Sequence, residues 1–336
     1  MSDQTEPAVL VRRQGRVGRL TLNRPRVLNA LTLDMVRIVS QALATWQDDP
    51  AVQAVVLDAT GDRAFCAGGD VRSLRSLAMA GDTAEIERFF TEEYAMNLAI
   101  SRFPKPYISL IDGICMGGGI GISVHGTMRV AAETAVFAMP ETLIGMFPDV
   151  GGSFVLPRLR GAYGMYLGLT GRRVSGAEAA WLGLATHCVP KASLAALADA
   201  IAADGIGVIA EAAVPPKDVP IAALDVSAFT ADSVPAILQR LHAQGGEWAD
   251  ETIATLRSVS PMALFWTFGI IRRGAGRTLA QCLAGELALT RHVTAWPDFI
   301  EGVRAAAVDK DRTPSWSPVR IEDVDPTGIA ASFADQ

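Results

Sequence analysis

Two carboxylates stand out in residues 138–152, "AMPETLIGMFPDVGG", because the rest of this segment is almost wholly apolar. Glu141 and Asp149 lie eight positions apart, and a proline directly precedes each of them. Apolar surroundings destabilise a carboxylate anion and so raise its pKa towards the range that suits general acid or base catalysis. Two such acids near one substrate could divide the two roles between them. The alternative is structural, with each acid capping a helix or pairing with an arginine such as Arg158 or Arg160.

A second candidate feature is the glycine-rich stretch "GICMGGGIGISVHG" at residues 113–126. A dinucleotide-binding fingerprint, G-x-G-x-x-G, does not fit, because Ile122 or Val124 occupies its third glycine position. A nucleophile elbow, G-x-S-x-G, does not fit either, because His125 stands at its last glycine position. What remains is bare backbone at the start of a helix, where amide N–H groups and the helix dipole favour an oxyanion. The alternative is that these glycines only permit tight packing of the helix against a sheet.

Another glycine turn, "AFCAGGD" at residues 64–70, follows the apolar run "AVVLDAT" and could supply a further inward-pointing N–H group. Amide donors from two separate turns would form an oxyanion hole. Removing one donor of such a hole typically costs ~2.7–4 kcal/mol of transition-state stabilisation. Beside two such turns, the acids at 141 and 149 are better interpreted as catalytic groups than as structural ones.

The elements that must position these residues follow an α/β pattern. Short β-branched runs, "AVLVRRQGRVGRLTL", "AVVLDAT" and "PYISLIDG", are separated by helical periodicity in "TLDMVRIVSQALATWQDD" and "EIERFFTEEYAMNLAI". From about residue 153 the pattern becomes helical, and Ser175 three residues before Glu178 predicts a capping box.

A soft boundary follows near Pro215 and Pro216, which forbid a continuous helix there. Beyond it, "SVPAILQRLHAQ", "WADETIATLRSV", "PMALFWTFGIIRRG" and "TLAQCLAGELALTRHVT" predict amphipathic helices. We therefore expect a core with the catalytic site over residues 8–204 and a helical region over residues 205–336, both within one compact unit.

Composition and charge exclude several classes of protein. The 336 residues include 30 Lys and Arg against 36 Asp and Glu, a net charge of −6 without basic runs, which argues against a nucleic-acid partner. No apolar segment approaches the ~20 residues that span a bilayer, and the N-terminus resembles neither a secretory signal nor a transit peptide. We expect no membrane partner and a cytoplasmic location. The four histidines and four cysteines lack metal-ligand or redox spacing, so we expect no metal and buried free thiols.

Taken together, the motifs resemble the crotonase, or enoyl-CoA hydratase/isomerase, superfamily. In chain order they are "LTLNRPRVLNALTLDM", "AFCAGGDVRSL", "KPYISLIDGICMGGGIGISVHGTMRVA", "FAMPETLIGMFPDVGGSFVLPRL" and "LTGRRVSGAEAAWLGLATHCV". Within it, "HG" at 125–126, "AMPET" with "FPDVGG", and "DFIEGVRAAAVDKDRTPSWSP" at 298–318 resemble the 3-hydroxyisobutyryl-CoA hydrolase branch. The resemblance implies an α/β fold, the crotonase (ClpP/crotonase-like) spiral of ββα units with a helical C-terminal region. It also implies a homo-oligomer, either a trimer, a hexamer or a smaller assembly.

The resemblance further implies roles for residues at the matching positions. The N–H groups of Gly69 and Gly118 would bind the thioester oxygen of an acyl-CoA substrate, and Glu93 matches an acid of the acyl pocket in the hydrolase branch. The other substrate-binding positions are Arg26, Val27, Leu28, Ala67, Gly68, Asp70, Gly117 and His125. No cofactor is implied, since coenzyme A is part of the substrate.

The resemblance also bears on the reaction. Hydratases of the superfamily usually use two glutamates; Gly121 stands at the first position here, while Glu141 fills the second. Asp149 stands where the hydrolase branch carries aspartate. This pattern favours hydrolysis of 3-hydroxyisobutyryl-CoA, in valine breakdown, with Glu141 as base or nucleophile and Asp149 binding the substrate hydroxyl or assisting proton transfer. The alternatives are an enoyl-CoA hydratase or isomerase, and a non-catalytic CoA-binding subunit.

Overall fold

The computed structural model describes residues 6–334, which form two compact units of three chain segments each. The first unit comprises the chain up to Gly69, Ala95–Phe137 and Val174–Ala223. The second unit comprises Asp70–Tyr94, Ala138–Arg173 and the chain from Leu224 onwards. This interleaved division differs from the consecutive ranges 8–204 and 205–336 expected from the sequence, because segments far apart along the chain pack together within each unit.

The regular elements include both strands and helices up to residue 189 and are helical beyond it. The strands of the described residues are β1 (Val9–Gln14), β2 (Val17–Leu22), β3 (Ala54–Ala59), β4 (Ala64–Cys66), β5 (Tyr107–Ile111), β6 (Ile114–Met116), β7 (Met128–Ala132), β8 (Val136–Ala138), β9 (Val174–Ser175) and β10 (His187–Val189). The α-helices are α1 (Leu33–Trp46), α2 (Val71–Ala80), α3 (Thr83–Arg102), α4 (Gly118–Val124), α5 (Gly152–Val155), α6 (Tyr163–Thr170), α7 (Gly176–Leu182), α8 (Lys191–Asp204), α9 (Val208–Ala212), α10 (Val234–Gln244), α11 (Glu247–Ser258), α12 (Pro261–Gly274), α13 (Leu279–Ala295), α14 (Pro297–Val303) and α15 (Pro326–Ala331).

The strands form two sheets. The larger sheet has the order β1-β2-β3-β5-β7-β10, in which β1 and β2 pair antiparallel and the remaining neighbours pair parallel. The smaller sheet has the order β4-β6-β8-β9, with β4 and β6 parallel and β8 and β9 antiparallel. Parallel neighbours need crossover connections, which the intervening helices supply. The predicted α/β class is therefore confirmed.

A hydrophobic cluster holds the larger sheet against α8. Buried side chains of β2, β3, β5, β7 and β10 pack with Leu194, Leu197, Ala198 and Ile201. These four residues follow the spacing i, i+3, i+4, i+7, so they lie on one helix face. Burying one Leu or Ile side chain typically contributes about 1.5–3 kcal/mol. The cluster fixes β3 and β5, the strands that lead through β4 and β6 into the two glycine turns.

The start of α4 requires glycine. Gly117 precedes the helix with a φ of 48°, in the left-handed region that favours glycine. Gly119 passes so close to β4 that an added Cβ would lie 2.4 Å from the carbonyl oxygen of Cys66. The alternative that glycines permit tight packing of the helix against a sheet therefore applies to Gly119, the residue that follows Gly118.

Close glycine contacts also join segments of the second unit. An added Cβ at Gly302 of α14 would lie 2.5 Å from the Cα of Ile144, and one at Gly274 of α12 would lie 1.9 Å from the carbonyl oxygen of Ser153. Real side chains do not fit at such distances. These contacts hold the segment that carries the two predicted acids against the C-terminal helices.

The local predictions made from the sequence are largely confirmed. The four amphipathic segments after residue 224 coincide with α10, α11, α12 and α13. Ser175 and Glu178 form the expected capping box at the start of α7, where each side chain accepts a backbone N–H of the other residue. Throughout residues 6–334, every helix is too short or too polar to cross a bilayer.

Candidate active site

The two glycine turns of the first unit are in contact. An added Cβ at Gly68 would lie 3.3 Å from the carbonyl oxygen of Met116 and 3.7 Å from the amide nitrogen of Gly118. Gly68 has a φ of 108°, a conformation that only glycine adopts without strain. Within residues 6–334, the amide N–H groups of Gly69 and Gly118 donate no hydrogen bond. Two amide donors without acceptors in adjoining turns fit the predicted binding site for an oxyanion.

The predicted CoA-binding segment adjoins one of these turns. Leu28 follows a short 3-10 helix, Pro25–Val27, with a φ of 55°. Its carbonyl accepts a 3.0 Å hydrogen bond from the N–H of Ala67, and the N–H of Leu31 donates to Gly68 at 2.8 Å. The side chains of Arg26 and Val27 are exposed, so they are accessible to a ligand.

The remaining predicted binding residues have more local roles in the structure. The Asp70 side chain accepts the N–H of Ser73 and so caps α2, in the second unit. His125 ends α4 in the first unit and is partly buried. Contact of either residue with a substrate stays a prediction.

The predicted acids belong to the second unit. Glu93 lies on α3, Glu141 begins a short 3-10 helix, and Asp149 follows in the next turn. All three are buried, with at most 6% of the surface of each exposed. The Tyr94 hydroxyl donates a 2.9 Å hydrogen bond to Oδ2 of Asp149.

Burial and mutual repulsion change the acidity of this group. Burial raises the pKa of Glu141 and of Glu93 well above the usual range, and the charge of Asp149 raises both further. Burial raises the pKa of Asp149 to about 6, while the hydrogen bond from Tyr94 opposes the rise. Near neutral pH the three acids therefore cannot all be ionised, and they titrate as a coupled group that can both give and accept a proton.

The acids also retain unused hydrogen-bonding capacity. Oε1 of Glu93 and Oε2 of Glu141 are buried without a hydrogen-bond partner in the described part of the chain. Arg158, considered as a partner for the acids, donates instead to the carbonyl oxygens of Phe154 and Gly274. A buried unpaired polar group costs about 1–3 kcal/mol. Groups kept at such a cost are expected where they bind a ligand rather than where they stabilise the fold.

Sequence reasoning missed two residues of this region, Tyr94 and Glu286. Glu286 on α13 is completely buried and accepts hydrogen bonds from the turn that follows Asp149. Burial raises its pKa to about 8, although the hydrogen bonds from Ser153 and Gly151 lower it. The sequence does contain a signal for Glu286, because this acid lies at helical spacing within the buried stripe formed by Cys282, Leu289 and Val293.

The molecule therefore has two sets of groups that suit acyl chemistry. The first unit offers amide donors for a developing negative charge, and the second offers buried carboxyl groups for proton transfer or nucleophilic attack. α4, with the sequence GGIGISV, contributes no acid. Its buried position 121 is a glycine and so carries no side chain.

Named proteins are similar in sequence to nearly the whole chain. Two of them carry the name "3-hydroxyisobutyryl-CoA hydrolase, mitochondrial". The protein of Rattus norvegicus is 42% identical over 99% of this chain and 90% of its own length, and that of Homo sapiens is 39% identical over 96% of this chain and 88% of its own. The resemblance to the 3-hydroxyisobutyryl-CoA hydrolase branch, predicted from the motifs, is confirmed.

Solved structures are similar over the same extent. A carnitinyl-CoA dehydratase from Mycobacterium thermoresistibile superposes with a TM-score of 0.93 at 40% identity, over 97% of this chain and 96% of that one. An enoyl-CoA hydratase from Rhodobacter sphaeroides superposes with a TM-score of 0.88 at 39% identity, over 98% and 97% of the two chains. The model of the enoyl-CoA hydratase/isomerase family matches residues 17–333. The chain therefore belongs to the enoyl-CoA hydratase/isomerase family and has the crotonase fold that its motifs predict.

Proposed function

We propose that this protein is an acyl-CoA thioester hydrolase that converts 3-hydroxyisobutyryl-CoA and water into 3-hydroxyisobutyrate and CoA, a step of valine breakdown. The observation that carries the proposal is the buried, electrostatically coupled pair Glu141 and Asp149. The names of the relatives support the substrate, since proteins about 40% identical over most of the chain are 3-hydroxyisobutyryl-CoA hydrolases. The motif comparison supports the reaction, because Gly121 replaces an acid that hydratases usually use.

The proposed chemistry assigns separate roles to the two sets of groups. An ionised carboxylate of the Glu141 and Asp149 pair takes a proton from water as the water oxygen attacks the thioester carbon. The carbonyl oxygen becomes an oxyanion, which the N–H groups of Gly69 and Gly118 stabilise. The C–S bond then breaks, the carboxyl group returns the proton to the leaving CoA sulfur, and the hydroxy acid is released. In a second route the ionised Glu141 carboxylate attacks the thioester carbon, the C–S bond breaks and CoA leaves as a thiolate. Water then hydrolyses the mixed anhydride to the hydroxy acid and the Glu141 carboxylate, and the proton released in this step passes to the CoA thiolate.

The pKa values support one negative charge on the pair at neutral pH. With a pKa of about 6, Asp149 is mostly ionised at pH 7, and its charge helps to keep Glu141 protonated. Transfer of the proton from Glu141 to Asp149 makes Glu141 the base. Asp149 is then neutral and can form a hydrogen bond with the substrate hydroxyl. Because Glu93 also interacts with Asp149, the titration belongs to the group of three acids rather than to any one residue.

Substrate binding is proposed for residues outside the pair. The unpaired Oε1 of Glu93 suits a hydroxyl donor such as the 3-hydroxy group of the substrate. For coenzyme A itself we propose the segment Arg26–Leu28 with the turn Ala67–Asp70, together with Gly117 and His125, and no further cofactor. We also propose that the protein forms a homo-oligomer. We propose a cytoplasmic location, whereas the relatives described above are named as mitochondrial proteins.

A second function is hydration or dehydration of an acyl-CoA. The two solved structures described above favour it, since they are named as a dehydratase and a hydratase and both are at least 39% identical to this chain. In that reaction Glu141 and Asp149 would act on one water molecule at the double bond, without an acid from α4.

The deciding experiment gives the purified protein 3-hydroxyisobutyryl-CoA and crotonyl-CoA separately. Release of free thiol and loss of the enoyl absorbance are followed in parallel. Rapid thiol release from the hydroxyacyl substrate, with a stable enoyl absorbance, supports hydrolysis. Loss of enoyl absorbance without thiol release supports the hydratase, and no reaction with either substrate contradicts the proposed function and favours a non-catalytic CoA-binding role.

A further inference from the structure

The turn that carries Asp149 has an unfavourable backbone conformation. Val150 has a φ of 49° and Gly151 a φ of 84°, so two successive residues lie in the left-handed region. A β-branched residue rarely adopts this region, so the backbone is strained at Val150. The turn is closed by a 2.6 Å hydrogen bond from the N–H of Gly152 to the carbonyl oxygen of Asp149. A conformation of this kind persists only where surrounding groups hold it.

Glu286 is the side chain that holds the turn. Its Oε2 accepts the N–H of Gly151 at 2.7 Å. Its Oε1 accepts the N–H of Ser153 at 2.9 Å and the Oγ–H of Ser153 at 2.5 Å. One carboxyl group thus binds the backbone on both sides of Gly152, and the first of these bonds lies two residues from Asp149.

Two helices hold the region around Glu286 and the turn. The helix that carries it, α13, begins with a capping box formed by Thr278 and Gln281. On the other side of the turn, the end of α12 packs so tightly on the carbonyl of Ser153 that only Gly274 fits. The turn is therefore fixed from two helices, and Glu286 provides the polar part of that fixation.

A buried acid is a costly way to satisfy two amides and a hydroxyl. Glu286 has no exposed surface, and its surroundings include the acidic groups Asp149 and Tyr94 and the thiol of Cys282. A glutamine would have the same size, but its NH₂ group would meet a donor. Only a carboxyl group can accept from Gly151 and Ser153 through both oxygens.

We propose that Glu286 is a positioning residue that fixes the strained turn 150–153 and thereby the orientation of the Asp149 carboxylate. It does not act on the substrate itself. The proposal deepens the proposed function, on which it rests for the role of Asp149.

The test compares Glu286→Gln with Ser153→Ala and with the control Glu178→Gln. Glu178 is also a buried glutamate that accepts two backbone N–H groups, from Ser175 and Ile221, but it belongs to the first unit. Hydrogen exchange of a peptide covering residues 147–154 is measured first, because it needs no substrate. We expect exchange at least tenfold faster in Glu286→Gln, a smaller increase in Ser153→Ala, which keeps both amide bonds, and none in Glu178→Gln.

Steady-state kinetics then separate positioning from a general loss of stability. With the acyl-CoA that the parent protein converts, kcat of Glu286→Gln should fall at least tenfold while KM changes less than threefold. Unchanged exchange of the turn, or a kcat no lower than that of Glu178→Gln, would overturn the proposal. If Glu286→Gln does not fold, Glu286→Asp, which withdraws the carboxyl group by one methylene from the amides of Gly151 and Ser153, takes its place. Faster exchange of the turn with a reduced kcat in Glu286→Asp supports the proposal, and parental behaviour refutes it. A parent that converts no acyl-CoA defeats the proposed function alone, because the exchange result still decides whether Glu286 fixes the turn.

Discussion

In the first unit the candidate chemistry is carried by backbone amides, whereas in the second it is carried by carboxyl side chains. The amides of Gly69 and Gly118 depend on glycine φ angles and on close approach of the two turns. The acids Glu93, Glu141 and Asp149 depend instead on burial, which raises their pKa values. A backbone donor is fixed once the chain folds, but a buried acid must be held against the free energy that its burial costs. The two units can therefore be tested by different kinds of substitution.

The largest effect is expected from the acids. Glu141→Gln removes the proposed base or nucleophile at nearly constant volume, so kcat for thioester hydrolysis should fall about 10²–10⁴-fold. KM should change little, because the substitution spares the residues proposed to bind coenzyme A. Glu178→Gln serves as a control for loss of a buried glutamate and should keep kcat within a few-fold. Equal activity of the two variants would remove Glu141 from the mechanism.

A somewhat smaller effect is expected from the amides. Gly118 is the first residue of α4, where proline is tolerated because the N–H group has no partner within the helix. Gly118→Pro removes the proposed oxyanion donor, whereas Gly118→Ala adds a side chain but keeps the N–H. We expect kcat/KM to be about 10²–10³-fold lower in the proline variant than in the alanine variant. Similar rates for the two variants, both shown by circular dichroism to be folded, would argue against an oxyanion hole.

The pH dependence of the rate sharpens the comparison, because amides do not titrate in this range. A carboxylate must be ionised to accept a proton, so kcat/KM should fall as the pH drops through about 6, the pKa to which burial raises Asp149. Below that pH the loss should approach tenfold for each pH unit. Asp149→Asn removes one charge that raises the pKa of Glu141, but burial still raises that pKa well above its usual range, so the acid limb should persist in this variant. CoA can be quantified chromatographically after quenching, and a flat profile between pH 5 and 8 would contradict the assignment.

The smallest effect concerns stability. Burial raises the folded-state pKa values of Glu93, Glu141 and Glu286 above the usual value of a glutamate, about 4.5, and raises that of Glu286 to about 8. Their contribution to stability is complete below pH 4.5 and is lost as the pH rises through the folded-state values. The free energy of unfolding should decrease between pH 5 and 8 by the order of a few kcal/mol, since a tenfold change in one dissociation constant corresponds to about 1.4 kcal/mol. Denaturant titrations at several pH values measure it, and the slope should be shallower for Glu286→Gln. Stability that rises over this interval would refute the burial argument.

The sequence predicts the first unit's candidate site better than the second's. Gly68, Gly69, Gly117 and Gly118 lie in two short motifs, and a local turn leaves a local signature. The capping box at Ser175 was also local and was found. Glu141 and Asp149 were found for the same reason, because each interrupts an apolar run.

The supporting groups of the acids could not be found in this way. Tyr94 and Glu286 lie 55 and 137 residues from Asp149 along the chain, and their hydrogen bonds exist only after folding. Periodicity did not reveal that 70–94 and 138–173 pack with the C-terminal helices either, because these contacts join segments that are far apart along the chain. An acid within a buried helical stripe, as at Glu286, is the signal that sequence reasoning can use in future.

The interleaving of the two units constrains how the chain can be synthesised. Residues 70–94, which include the buried aromatic side chains of Phe89 and Phe90, leave the ribosome well over a hundred residues before the helices that complete their unit. At ordinary rates of about 5–20 residues per second, this delay lasts of the order of ten seconds or more. During that time the apolar side chains of this segment lack their packing partners, so we expect nascent chains to need chaperone protection. An N-terminal fragment that ends before residue 224 cannot contain the complete second unit.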